Sequence, residues 1–429
     1  MKYEQIDKPL FIENRKKLVP LLDKGSLAIF NANDVMPTNA DGTMAFRQNN
    51  DLFWLSGVDQ EESLLLLYPE NPNEKEREIL FLKETNKEIA IWEGAKLSKE
   101  DAFNASGIRT VYWLEELESK LKELIIKADA VYLNKNIHSR AATEVETRDD
   151  RFRKKITEKF ASKQIKEVAP IMHELRSIKS DTEIALMQKA CDITEKGLRR
   201  ILPFIKPGVM EYEIEAELMH EFLRNRSNGF AYQPIIGSGI DSCVLHYIEN
   251  NKACNDGDIL LMDFGAEYAN YASDLTRTVP VNGRFSERQR AVYSAVLHVM
   301  KEATSMLRPG TIYKEYNVEV GKLMEAELIK LGLLDKHDVQ KQDPKNPLYR
   351  KYFMHGTSHY LGLDVHDVGS IETPMQEGMV FTCEPGIYIL EEALGIRLEN
   401  DILITKDKPF DLMGNIPIEL EEIEDIMNA

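Results

Sequence analysis

Apolar β-type runs in the second half of this chain each carry or lead into an acid. In DILLMDFGAEYANYASDLTRTVPV (258–281), Asp263 ends an apolar run, and Asp274 follows eleven residues later inside a second β-like stretch. MVFTCEPGIYI (379–389) carries Glu384 and GIRLENDILIT (395–405) carries Glu399. A carboxylate at the end of a buried strand is costly unless it is paired or binds a metal. Any fold of this chain must therefore bring compensating charge to these positions. Two strands of a hairpin would set Asp263 beside Asp274, and adjacent strands would do the same for Glu384 and Glu399. Arg397, two residues before Glu399, would face the same way in a strand.

The block HGTSHYLGLDVH (355–366) holds three of the nine histidines in the chain. Alone, it fits a metal site, a catalytic set, or three ordinary histidines that happen to be close. Four carboxylates with at least one imidazole make a donor set for two hard-to-borderline divalent cations. Such an oxygen-rich set suits Mn²⁺, and to a lesser extent Fe²⁺, Co²⁺ or Zn²⁺. Two metals about 3.5–4 Å apart can share and activate one hydroxide. Taken singly, each acid reads as a salt bridge or an edge residue, and each histidine as a hydrogen-bonded structural residue. Five such residues in four β-rich segments favour the metal reading.

With 54 Lys and Arg against 72 Asp and Glu, the net charge is −18 and the pI about 5.1. That surface repels phosphate backbones, so nucleic acid is excluded as a partner. Cys191, Cys243, Cys254 and Cys383 form no CxxC pair, which points to free thiols in a reducing compartment. No apolar run approaches the roughly 18 residues needed to cross a bilayer. The N-terminus lacks the apolar core of a signal peptide, so the cytoplasm is expected and no membrane partner is.

A length of 429 residues predicts two domains, or one large domain with an attached smaller one. GSLAIFNAN (25–33), SLLLLYP (63–69) and REILFLKE (77–84) read as buried strands, and LEELESKLKELI (114–125) as a helix. The charged stretch 146–167 reads as a helix, a linker, or both. Ser180 and Glu183 match a capping box that opens a helix ending near Pro207-Gly208, and Ser286 and Gln289 match another. IKPGVMEYEIEAELM (205–219) parallels LRPGTIYKEYNVEVGKLM (307–324). The parallel fits two strand–helix–helix halves. It also fits two ordinary Pro-Gly helix stops.

Together these blocks resemble the pita-bread metallopeptidases, most closely the aminopeptidase P family. The family pattern is an Asp, a second Asp eleven residues later, a His in an HGxxH block, then two glutamates. Asp263, Asp274, His359, Glu384 and Glu399 match it in order. The flanking words GSGIDSCVLHY, LMDFGAEYANYASDLTRT and EPGIYI match as well, over roughly residues 173–429. NADGTMAFRQNNDLFWLSGV (39–58) and IWEGAKLS (91–98) resemble the amino-terminal domain shared with prolidase and creatinase.

The resemblance implies an α+β architecture: an N-terminal α/β creatinase-type domain over residues 1–172 and a C-terminal pita-bread domain over 173–429. It implies that Asp263, Asp274, His359, Glu384 and Glu399 bind two divalent metals, usually Mn²⁺, with Asp274 and Glu399 bridging both. Glu384 would also take the proton of the bridging water. His246, His355 and His366 would bind substrate, polarise the scissile carbonyl and steady the tetrahedral intermediate. His138, His173, His220, His298 and His337 match no functional position. Arg397 resembles a family arginine that holds the site together, and Asp41 aligns with an N-terminal acid that reaches toward such an arginine. Tyr232, Tyr360 and Tyr388 would form a proline pocket, or simply pack in the core.

The implied activity is release of the N-terminal residue from peptides with proline second, by a hydroxide bridging two metals. Prolidase, which uses the same site on dipeptides, is the nearest alternative. A non-catalytic pita-bread binding protein is a further one, although that class typically loses metal ligands. The resemblance also implies a homodimer or homotetramer.

Overall fold

The computed structural model describes residues 2–138, 140–141 and 144–429. The chain divides into a unit of residues 3–176 and a unit of residues 177–429.

The first unit is built on a six-stranded mixed sheet. Its order is Thr110–Trp113, Glu78–Leu82, Leu64–Leu67, Ser26–Asn31, Ala130–Leu133 and Gln164–Glu167. The three apolar runs read as strands are strands, and their alternate residues Leu27, Ile29, Leu64, Leu66, Ile79 and Phe81 form the core. Leu121, Leu124 and Ile125 of helix Leu117–Lys127 close that core from one face. The charged stretch 146–167 becomes helix Arg148–Lys159, opened by a Thr147–Asp150 capping box, and an edge strand. Asp51 is buried in this unit, where it accepts from Arg176 at 2.8 Å and from Asn134 at 2.7 Å.

The second unit contains two long helix pairs, Asp181–Ile201 with Glu211–Arg224 and Glu287–Met306 with Tyr313–Lys330. Both anticipated capping boxes are present, at Ser180–Glu183 and Ser286–Gln289. The first helix stops at Ile201 rather than near Pro207, because Pro203 intervenes and cannot donate to the helical ladder. Each helix pair is followed by antiparallel strands, so each half runs helix–helix–strand rather than in the expected strand–helix–helix order. In the first half, Ile259–Phe264 pairs with Leu275–Pro280 and with Ile235–Ser238. In the second, Val380–Cys383 pairs with Asn400–Leu403, and Gly386–Ile389 pairs with Leu394–Arg397.

The two halves meet at the acids. Thr276 and Glu399 form an antiparallel bridge, with the Glu399 N–H donating to the Thr276 carbonyl at 3.1 Å. The fully buried Arg277 fastens the seam. It donates to the carbonyls of Thr276 (2.9 Å), Glu399 (2.8 Å) and Pro417 (2.7 Å), and to the Asn400 side chain (2.7 Å). Gly265 lets the first hairpin close, since a Cβ there would lie 1.7 Å from the Ser273 carbonyl oxygen.

Candidate metal centre

Strand geometry delivers the acids to one place. Asp263 lies in Ile259–Phe264 opposite Thr276, and Asp274 immediately precedes Leu275–Pro280. Glu384 immediately follows Val380–Cys383, and Glu399 immediately precedes Asn400–Leu403. Asp274, His359 and Glu399 each bring one ligand atom into a group whose members lie within 4.8 Å of one another. Glu384 joins them, its Oε1 3.5 Å from His359 Nε2, while Asp274 Oδ2 lies 3.4 Å from the same nitrogen. Asp263 is tied in by Tyr232, whose hydroxyl lies 2.6 Å from Asp263 Oδ1 and 2.5 Å from Asp274 Oδ1.

The electrostatics are those of an uncompensated anionic cavity. Burial, then the Asp263 charge, pushes the Asp274 carboxyl well above its ordinary range. Burial, then Asp274 and Glu384, does the same to Glu399. Glu384 is pushed up to about 7, mainly by burial, with His359 and Arg397 pulling the other way. One tyrosine O–H cannot donate to two carboxylates at once. The two short Tyr232 contacts therefore leave a single donor between Asp263 and Asp274.

Arg397 is the guanidinium that bonds a carboxylate of the cluster, whereas Arg277 bonds the Glu399 carbonyl. Arg397 meets Asp263 Oδ2 at 2.5 Å, Tyr388 at 2.9 Å and the Thr276 hydroxyl at 3.1 Å. One cation against four carboxylates leaves the cavity short of positive charge. Asp401, fully buried, accepts the Asp274 N–H at 3.0 Å through Oδ2, and its Oδ1 has no hydrogen-bond partner.

The histidines are sorted by their hydrogen bonds. His359 Nδ1 donates to the Tyr360 carbonyl at 2.9 Å, which leaves the Nε2 lone pair facing Asp274 and Glu384. A metal-ligating imidazole is held in this way. Arg397 donates to the Tyr388 oxygen, so Tyr388 donates its own proton to His355 Nε2 at 2.8 Å. His355 Nδ1 then carries the ring proton and donates to the Gly356 carbonyl at 2.8 Å. Burial, then the Arg397 charge, lowers His355 to about 4, so its ring is neutral. His366 packs edge-on against His359 with ring centroids 4.2 Å apart, and His246 is exposed on a loop. Asp41 lies on an exposed stretch of the first unit.

Of the three tyrosines, Tyr360 is a core residue that donates to the Ser370 carbonyl at 2.9 Å. Tyr232 and Tyr388 instead direct their hydroxyls into the charge network. Thr276, Arg277 and Asp401 were not anticipated as contributors. Thr276 and Arg277 sit in the quoted word DLTRT, and Asp401 lies two residues after Glu399, where strand alternation returns a side chain to the same face.

The donors fit divalent cations: four carboxylates and one imidazole, buried, mutually repelling and under-neutralised. A fold and a site of this kind define a metal-dependent hydrolase. The description Metallopeptidase family M24 matches residues 185–406, and Aminopeptidase P, N-terminal domain matches residues 11–132. The chain is 35 % identical to the Xaa-Pro aminopeptidase of Escherichia coli (strain K12) over 438 residues, 99 % of each chain. It is 31 % identical to human Xaa-Pro aminopeptidase 3, covering 89 % of this chain and 76 % of that one. Among solved structures, Pseudomonas aeruginosa aminopeptidase PepP superposes with a TM-score of 0.91 at 30 % identity, covering 99 % of both chains. A zinc-substituted E. coli aminopeptidase P in complex with product gives 0.89 at 33 % identity, again covering 99 % of both. The chain belongs to metallopeptidase family M24 and, within it, to the Xaa-Pro aminopeptidases, which are metallo-exopeptidases.

Proposed function

We propose that this enzyme releases the N-terminal residue from peptides with proline in the second position, using two divalent cations, Mn²⁺ by preference. The observation that carries the reading is the under-neutralised cluster around Asp274, His359 and Glu399. Asp263, Asp274, His359, Glu384 and Glu399 would hold the cations, with Asp274 and Glu399 shared between them. When bound, two such ions supply a hydroxide nucleophile near neutral pH and positive charge for the carbonyl oxygen.

The remaining work falls to the side chains. Glu384, whose Oε1 lies 3.5 Å from His359 Nε2, accepts the proton of the attacking water and returns it to the departing proline nitrogen. His246 and His366 donate to the substrate carbonyl as its charge develops. His355 joins them only by exchanging its Tyr388 bond for substrate, since both ring nitrogens are otherwise engaged. Arg397 holds Asp263 and Tyr388 in register, and Asp41 contributes to substrate binding.

Three further readings belong to this proposal. Buried free thiols at Cys191, Cys254 and Cys383 support a reducing compartment, the cytoplasm. No helix among the described residues is long and apolar enough to cross a membrane. Ile91 and Trp92, 79 % and 89 % exposed on helix Lys87–Glu93, offer apolar surface that a second copy would cover in a homodimer or homotetramer.

The test is hydrolysis of Arg-Pro-Pro and of Gly-Pro by metal-stripped protein reloaded with Mn²⁺. Arginine release from the tripeptide, abolished in Glu384→Ala, is expected. Cleavage of Gly-Pro alone would assign a prolidase instead, and cleavage of neither, with metal bound, would leave a binding protein.

A further inference from the structure

His246 sits on the loop that joins the turn Gly239–Cys243 to strand Ile259–Phe264, and its side chain is exposed. An exposed side chain on a connecting loop has no packing of its own to fix it. The next residue is held differently. Tyr247 is only 5 % exposed, and its ring packs with Ile235, Leu261 and Tyr388. Tyr388 is the tyrosine that bridges Arg397 and His355.

The Tyr247 hydroxyl donates to Glu211 Oε2 at 2.8 Å. Glu211 is fully buried at the first position of helix Glu211–Arg224, on an element that carries no metal ligand. Its carboxylate takes two further bonds, from the Ser238 N–H to Oε1 and from the Lys252 N–H to Oε2, both at 3.0 Å. Its own N–H returns to the Lys252 carbonyl at 2.9 Å, and Met210 bridges Ala253. One buried carboxylate thus holds the strand before the loop, its middle, and its end. A carboxylate accepts all three donors at once. An amide at the same place cannot, because one of its two heads is itself a donor.

We propose that Glu211, acting through Tyr247, is a positioning residue that sets His246 against the substrate carbonyl. The inference rests on the substrate role given to His246 above. A histidine that stabilises developing charge is sensitive to placement, and a displacement of about 1 Å can cost on the order of 100-fold in rate.

The test is a double-mutant cycle on the Mn²⁺-loaded enzyme with Arg-Pro-Pro, reading kcat and KM separately. Tyr247→Phe keeps the ring and removes one of the three bonds. It is expected to lower kcat about tenfold with KM little changed and Mn²⁺ content equal to wild type. Glu211→Gln is expected to approach the loss of His246→Ala, on the order of 100-fold. In the His246→Ala background both losses should vanish, because the residue being positioned is gone. Losses that multiply in that background, or a fall in Tm with kcat unchanged, would overturn the positioning role while leaving His246 in place. Full activity of His246→Ala would remove the role of His246 and this proposal with it. Should Glu211→Gln fail to fold, the Tyr247→Phe cycle decides alone.

Discussion

Two buried acidic sites, one in each unit, solve the same electrostatic problem in opposite ways. In the first unit, Asp51 receives Arg176 at 2.8 Å and Asn134 at 2.7 Å, one cation and one amide for one acid. In the second, Asp263, Asp274, Glu384 and Glu399 share Arg397, and the last three are held above their ordinary pKa range. The first arrangement gives Asp51 its own cation, although burial and then the Asp51 charge push its neighbour Asp149, bonded by Asn31 at 2.8 Å, up to about 6. The second is complete only with added positive charge. Buried acids are therefore informative by their balance with neighbouring cations rather than by their number.

The largest expected effect comes from changing Glu399, which the proposed function shares between the two cations. Glu399→Gln should lose Arg-Pro-Pro hydrolysis by roughly 10³-fold or more, since in the proposed function both nucleophile generation and carbonyl polarisation depend on the cations. The metal-free variant should be more stable than metal-free wild type, and Mn²⁺ should no longer raise its Tm as it raises that of wild type. The same kind of change in the first unit should do the reverse. Arg176→Met strands Asp51 without its cation and should cost about 3–5 kcal/mol in denaturant unfolding. If Glu399→Gln also destabilises the metal-free protein, the contrast between the two sites is wrong.

That contrast was partly legible in the sequence. Asp263, Asp274, Glu384 and Glu399 stand out because apolar β runs surround them, and strand periodicity sends them to one side. The helix caps at Ser180 and Ser286 were legible for a similar reason, since a capping box is a local pattern. Arg277 and Asp401 were not. Nothing in DLTRT reveals that Arg277 will bond carbonyls 122 and 140 residues away, at Glu399 and Pro417. The tyrosine hydroxyl partners were not legible for a related reason. Aromatic character told of burial, whereas the work of Tyr232 and Tyr388 lies in which partner each hydroxyl meets. The stop at Ile201 was missed because a Pro-Gly pair drew the boundary past the nearer Pro203.

A titration sharpens the comparison further. Burial pushes Glu384 up to about 7 in the fold, against an ordinary value of 4.5. An acid whose folded pKa is raised binds more protons when folded than when unfolded between those two values. Stability falls with rising pH through that window and levels off above it. Glu384→Gln removes the group, so metal-free Glu384→Gln should gain on metal-free wild type between pH 5 and pH 8, by about 2 kcal/mol. Urea unfolding of both proteins at the two pH values measures this. A gain independent of pH would mean that Glu384 is compensated much as Asp51 is.

The smallest expected effect belongs to Thr276, where the two halves meet. Its hydroxyl donates to Glu399 Oε2 at 2.6 Å and accepts from Arg397 Nε at 3.1 Å. It bonds both Glu399 and the Arg397 guanidinium. Thr276→Val keeps the shape and the backbone bridge to Glu399, and removes both bonds. Partners of this kind orient a ligand without touching the metal, and their loss typically costs about 10–100-fold in metal affinity. Mn²⁺ titration followed by calorimetry should show that weakening, while saturating Mn²⁺ restores most of kcat. If kcat stays low at saturation, the hydroxyl acts on the reacting geometry itself. If affinity is unchanged, the backbone bridge alone is enough to hold Glu399, and the seam between the halves matters more to the centre than the side chains that cross it.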